Sequence, residues 1–176
     1  MVLSVAASLF VWQFGVRAPR VGLISMERVP QIGLLLIFNP SVAATICAGA
    51  SLLWPLLSRA YSQGSAAFAT IRALHNAAMT ALMMLAAGHA YLALGGLHPL
   101  RALTFESIVP LVAMAMAAQV VNTALMALFF GFDGRDVRRI VTPAYALSDL
   151  IFVPAGVLAA LLYNSGAYAA FGLFIA

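Results

Sequence analysis

The hydrophobic positions of this chain fall into long, almost unbroken runs, separated by short stretches where arginine, proline, glycine and asparagine collect. The clearest run occupies residues 72–94. As a helix its 23 residues would be about 33 Å long, close to the ~30 Å of one bilayer hydrocarbon core. Further runs lie at 2–16, 26–38, 41–58, 106–131, 142–163 and 167–176. The breaks have physical causes. Asn39-Pro40 ends the second run, because proline cannot continue a helix and drives the residue before it out of the α region. Gly95-Gly96 closes the fourth run, and Asn164-Ser165-Gly166 turns the chain after the sixth. The pattern predicts an all-α fold: a polytopic membrane helix bundle of six full spans plus a truncated seventh, forming one integral membrane domain over 1–176. The last run covers only about half a bilayer, so the expectation is a fragment of a longer protein that continues past Ala176.

Composition reinforces the class. The chain is 64% hydrophobic and 8% charged, against about a quarter charged in soluble domains, and its mean hydropathy is +1.04. All nine basic residues are arginines, and the formal charge is +4. They are spread over loops without forming a basic stripe, so they speak for placement against a membrane and against a nucleic-acid surface. Threaded through seven alternating spans, one side of the membrane receives Arg17, Arg20, Arg28, Arg59, Arg72, Arg135, Arg138 and Arg139, and the other only Arg101. The positive-inside rule makes the first side cytoplasmic. The location expected is the bacterial inner membrane, with the amino terminus outside and the chain leaving toward the cytoplasm. The single cysteine, Cys47, lies in an apolar run and reads as a small core residue.

Polar groups in hydrocarbon are costly and mostly face the bundle interior, where they find partners. Arg72, His75 and Asn76 open the fourth run, Gln119 and Asn122 sit one turn apart on the fifth, and Tyr145 and Asp149 are four apart on the sixth. Together they predict an intramembrane polar cluster on the cytoplasmic side, serving either as a switchable relay or ion site or as interhelical glue. His89, Tyr91, His98, Arg101 and Glu106 could border a pocket facing the other way, the alternative being ordinary packing. No metal-ligand spacing, phosphate-cradling loop or nucleophile elbow occurs, so neither catalysis, a metal nor a cofactor is expected.

The order of features resembles the amino-terminal membrane domains of bacterial cyclic-di-GMP signalling proteins, those preceding an HD-GYP or GGDEF domain. The residues that carry the likeness are Ala18-Pro19-Arg20-Val21-Gly22, the IGLLLIFNP stretch, His75-Asn76-Ala77-Ala78, Leu94-Gly95-Gly96 and Val121-Asn122-Thr123. The resemblance implies a non-catalytic sensory or anchoring module, usually dimeric, whose helices bias a carboxyl-terminal enzyme. No HD-GYP or GGDEF motif is present in this chain. Two other functions suit the same features. One is an accessory structural subunit of a larger membrane complex, for which the small-residue faces are apt. The other is a transporter's substrate-binding subunit, since the span number and short second run also resemble those of vitamin importers. Expected partners are membrane lipids and either a second copy or a larger membrane complex.

Overall fold

The computed structural model describes residues 15–18, 22–57, 65–132, 134, 136–139 and 150–168. Within these, a short hairpin leads into five helices. Strands β1 (Gly15–Ala18) and β2 (Gly22–Ser25) pair antiparallel, Gly15 opposite Ser25 and Ala18 opposite Gly22. The helices are α1 (Arg28–Ile37), α2 (Pro40–Leu57), α3 (Ala66–Ala93), α4 (Ile108–Phe132) and α5 (Val153–Asn164).

Their boundaries follow from local chemistry. Pro30 falls in the first turn of α1, where its missing N–H has no intrahelical partner to lose. Asn39-Pro40 both stops α1 and starts α2: the Asn39 Oδ1 accepts from the Val42 N–H at 2.9 Å while Pro40 supplies a preset φ. Ser65 caps α3 by accepting from the Phe68 N–H at 3.2 Å. Helix α3 therefore begins six residues before Arg72. Ahead of α4, the Thr104 N–H donates to Ser107 Oγ at 3.3 Å across a 3-10 turn over Phe105–Ser107. Pro154 stands in the first turn of α5, where its missing N–H costs no intrahelical bond.

The expected bundle of six full spans plus a truncated seventh is overturned. Among the described residues one helix, Phe105–Phe132 with its entry turn, is both long and apolar enough to cross a membrane. Helices α1 and α5, at 10 and 12 residues, reach only about 15 and 18 Å. The apolar part of α2 ends at Pro55. Helix α3 is 28 residues long, but Arg72, His75, Asn76, Thr80 and His89 dilute its apolar character. The 26–38 run thus contributes a short helix that buries against neighbours, as does the described part of the 142–163 run; residues 142–149 lie outside the described residues. The hairpin occupies the end of the 2–16 run and the connector after it. Residues 2–14 and 169–176 of the first and last runs lie outside the described residues.

Three packing relationships organise the helices. Helices α2 and α3 run antiparallel, with Gly88 against Pro40 at one end and the Ser51 and Thr80 hydroxyls hydrogen-bonded at 3.0 Å further along. Helix α4 runs back along α3, so that Phe129 meets His75. Helices α1 and α5 lie side by side and parallel: Gly156 packs on Ile32 and the Val29 carbonyl, and Gly33 lies near Ala159. All five contribute to one core, including Leu35, Leu36, Ala43, Met84, Tyr91, Met114 and Ala160. The segment between α3 and α4 ties one end together. The Leu100 N–H donates to the Leu36 carbonyl at 3.0 Å, and Asn164 Nδ2 donates to the Leu100 carbonyl at 2.8 Å.

A methyl group at Gly156 would stand 2.6 Å from Ile32 Cβ and 2.9 Å from the Val29 carbonyl oxygen. Backbone would have to move, so Gly156→Ala is expected to cost about 1–3 kcal/mol. At Gly49, in α2, nothing lies within 4 Å of the added carbon. Gly49→Ala is expected to be neutral or to stabilise by up to ~1 kcal/mol through helix propensity. Thermal unfolding of the purified variants in detergent checks the pair, and equal shifts would refute the close crossing.

Candidate functional site

The first residue of α1 is a buried cation. Arg28 retains 5% of its exposure, and its Nη1 donates to Gln31 Oε1 at 3.1 Å and to Met83 Sδ on α3. Gln31, one turn on, is equally buried. A void of about 10 Å³ lies beside the guanidinium, lined also by Ile32, Ala118 and Gln119. Gln119 on α4 donates its Nε2 proton to Thr123 Oγ1 at 3.2 Å, and Asn122 is buried one turn along the same helix. Three helices thus bring a guanidinium, a thioether and three side-chain amides into the interior. In low dielectric such groups are stable only when their hydrogen bonds are met, and each bond made there fixes helix register.

An apolar groove lies next to this polar set. It encloses about 580 Å³ between α4 and α5 and is lined by Ile108, Val112 and Met116 from one helix and Val157, Leu158 and Leu161 from the other. Among the described residues none of its lining side chains is titratable. Ala115, Leu150 and Val153 line both the groove and the small void by Arg28, so the two are neighbours across a single layer of side chains. The groove can hold hydrocarbon.

The residues expected to form an intramembrane polar cluster fall at two levels. Arg72 places its guanidinium 4.6 Å from the Phe129 ring centroid and 5.3 Å from that of Phe68, a cation–π arrangement. His75 packs its ring 4.3 Å from Phe129, and Asn76 is half-buried beside it. Gln119 and Asn122 precede Phe129 by ten and seven residues, about 15 and 10 Å along α4. They belong to the Arg28 level. Tyr145 and Asp149 lie outside the described residues. Counting arginines by loop puts Arg28 with the orienting charges, which hides it. The usable signal was its three-residue spacing from Gln31 at the head of IGLLLIF, which sets both on one helical face. Nothing in the sequence marks the groove, because its walls are distant apolar residues.

At the other end, Tyr91 is fully buried, donates its hydroxyl to the Leu97 carbonyl at 3.0 Å and meets His98 edge-on at 5.3 Å. His89, Arg101 and Glu106 are exposed around them. Both ring nitrogens of His98 are buried without a hydrogen-bond partner among the described residues, and burial lowers its pKa. Among the described residues no group of His, Cys, Asp and Glu could hold a metal ion.

Two measurements test these contacts. Gln31→Leu removes an acceptor from a buried cation and is expected to cost about 1.5–3 kcal/mol. Gln119→Leu removes a neutral pair and is expected to cost about 0.5–1.5 kcal/mol. A reversed order in chemical unfolding would show that the Arg28 bond is not charge-assisted. For His98, the unfolded chain takes up its proton first, near the ordinary value of 6.5, because the folded pKa lies lower. Stability is therefore full above that pH and declines as pH falls through it, levelling below the folded pKa. His98→Phe, which keeps the edge contact with Tyr91, should flatten that acid limb in melts recorded from pH 7.5 to pH 5, a range of roughly one unit above and below the ordinary value.

Compared with family models, curated proteins and solved structures, the chain has no significant match.

Proposed function

We propose that this chain is a membrane-embedded sensory or anchoring module of a bacterial signalling protein, which binds a ligand between its helices and does not transform it. The observation that carries this reading is the 580 Å³ groove along α4, which among the described residues is the one helix apolar and long enough to span a bilayer, backed by a buried cation. The volume lies within the roughly 300–1,000 Å³ of small-molecule sites. Helix α4 packs on α3 and faces α5 across the groove, which suits a module in which ligand occupancy on one flank changes packing on the other. The residues quoted above for their likeness to cyclic-di-GMP signalling proteins support the same assignment, and in such a module the output would lie in a cytoplasmic enzyme domain.

The site of action is the cytoplasmic membrane. Helix α4 crosses it with the Arg135, Arg138 and Arg139 end in the cytoplasm and the Arg101 end outside, as the positive-inside rule requires. A second reading, an accessory subunit of a larger membrane complex, draws on one specific feature. Ile71, Leu74 and Leu82 form an exposed apolar stripe along α3, a helix too polar to be read as a span by itself.

The sole cysteine makes a direct test available. In a Cys47→Ala background, Arg101→Cys is expected to react with a membrane-impermeant maleimide in intact cells. Arg138→Cys is expected to react only after lysis. Equal labelling of both before lysis, or release of the chain by alkaline carbonate, would overturn the membrane-embedded reading. Recovery from native membranes with stoichiometric non-identical membrane proteins would favour the accessory subunit.

A further inference from the structure

We infer that the outward face of α3 pairs in parallel with α3 of a second copy of this chain, joined by a hydrogen bond between the two His89 imidazoles. This rests on the membrane-embedded reading above and names a partner for it. The pattern lies on one helix face. Ile71, Ala78, Leu82, His89 and Leu92 are exposed there, and Leu85 is half-buried among them. Ile71, Ala78, Leu85 and Leu92 recur at seven-residue steps, and so do Leu82 and His89. The two series alternate at spacings of four and three, the a and d pattern of a two-stranded supercoil, with Leu82 and His89 at a. From Ile71 to Leu92 the seam covers about 32 Å of helix. His75, one heptad before Leu82, is turned onto Phe129 and stays out of it.

His89 decides what covers this face. Helix α4 runs back along α3, and His75 meets Phe129. Fourteen residues further along α3, His89 is therefore level with Ala115, about 10 Å inside the start of α4. At that depth its imidazole points outward, with no hydrogen-bond or ring partner among the described residues. A polar side chain in hydrocarbon is costly, and lipid tails offer it neither donor nor acceptor. Helix α4 supplies the contrast. Its exposed positions include Val109, Val112, Met116, Val120 and Leu128, with no polar side chain among those of 109–128. Lipid satisfies that face, whereas the α3 face calls for protein. A second copy meets the requirement by symmetry. Copies inserted with one topology lie parallel, so a twofold axis sets each seam residue opposite its own counterpart. A neutral imidazole is donor at one nitrogen and acceptor at the other, so His89 is complementary to itself. One polar a position in an otherwise apolar seam also fixes register and strand number.

The test uses the full chain in native membranes, with single cysteines in a Cys47→Ala background and copper–phenanthroline as oxidant. Leu82→Cys and Leu92→Cys are expected to give disulfide-linked dimers, because the symmetric seam brings identical positions together. Val120→Cys, equally exposed on α4, is expected to give none. The hydrogen bond is read separately, by energy transfer between donor- and acceptor-labelled Arg101→Cys copies as phosphatidylcholine vesicles are diluted with lipid. His89→Leu should weaken the dimer roughly three- to thirtyfold, the range that such bonds reach in membranes. His89→Asn, which keeps a donor and an acceptor, should retain most of the affinity. Equal crosslinking at Leu82 and Val120, or unchanged affinity in His89→Leu, overturns the proposal. So does crosslinking of Leu82→Cys to a non-identical protein, or a chain that stays monomeric at every lipid ratio because lipid covers the face. Should His89→Leu fail to insert, the Leu82 and Val120 comparison, made with His89 intact, decides alone. If carbonate-resistant membrane association and the labelling pattern hold while no dimer forms, this inference falls and the broader reading stands. Release by carbonate removes the broader reading itself.

Discussion

The close crossing of α1 and α5 at Gly156 is the constraint on which the rest of the arrangement depends. With no side chain at that position, Ile32 and the Val29 carbonyl come within contact of the α5 backbone. A helix pair this tight lets two elements of only 10 and 12 residues hold each other, which neither could do alone. The crossing also decides what lies on either side of it. It turns Arg28 and Gln31 inward toward Met83, and it sets α5 beside α4 at the spacing that leaves the groove. The bonds from Leu100 to Leu36 and from Asn164 to Leu100 hold the far ends of the same two helices in register.

Arg28 is the costly element of the core. A buried cation seldom adds net stability over a well-packed apolar side chain, although losing one of its partners is strongly destabilising. Retaining a charge there suits specificity of arrangement or a ligand better than stability. Its neighbours suit either role: the Gln31 amide is an acceptor held one turn away, the Met83 thioether is soft and adaptable, and Gln119 can exchange partners. The opposite end is built differently. Tyr91 is enclosed by the backbone at Gly96 and the ring of His98, and its single hydroxyl is satisfied by Leu97. That end is a packed turn, and the groove's lining extends to Leu103, five residues beyond His98.

Much of the helical content was legible along the chain. Asn39-Pro40 and Gly95-Gly96 mark helix ends in the sequence and in the fold, because proline and glycine act on the backbone wherever they stand. The 106–131 run became α4 almost residue for residue, since an apolar stretch of that length needs no partner to be helical. The count of spans was not legible. An apolar run records how much surface must leave water, not whether lipid or another helix covers it. For α1 and α5 the cover is largely each other, and for α3 the polar residues Asn76, Thr80 and His89 lower the apolar content of a helix that is otherwise long enough. The Ser65 cap also moved the start of α3 six residues ahead of its apolar pattern.

The candidate site divides along the same line. By itself the sequence determined which side chains would be expensive to bury, among them Gln119, Asn122 and His75, since that cost is a property of the side chain. It also determined where the backbone could turn. Which of those groups share a level was decided only by the tertiary structure: Arg72 and His75 go to Phe129, and Gln119 goes to Arg28, a residue that loop-counting assigns to the surface. The groove belongs wholly to the tertiary structure. Ile108 and Leu161 are ordinary apolar residues more than fifty positions apart, and only the packing of α1 on α5, set by a glycine without a Cβ, brings their helices to a distance that leaves space between them.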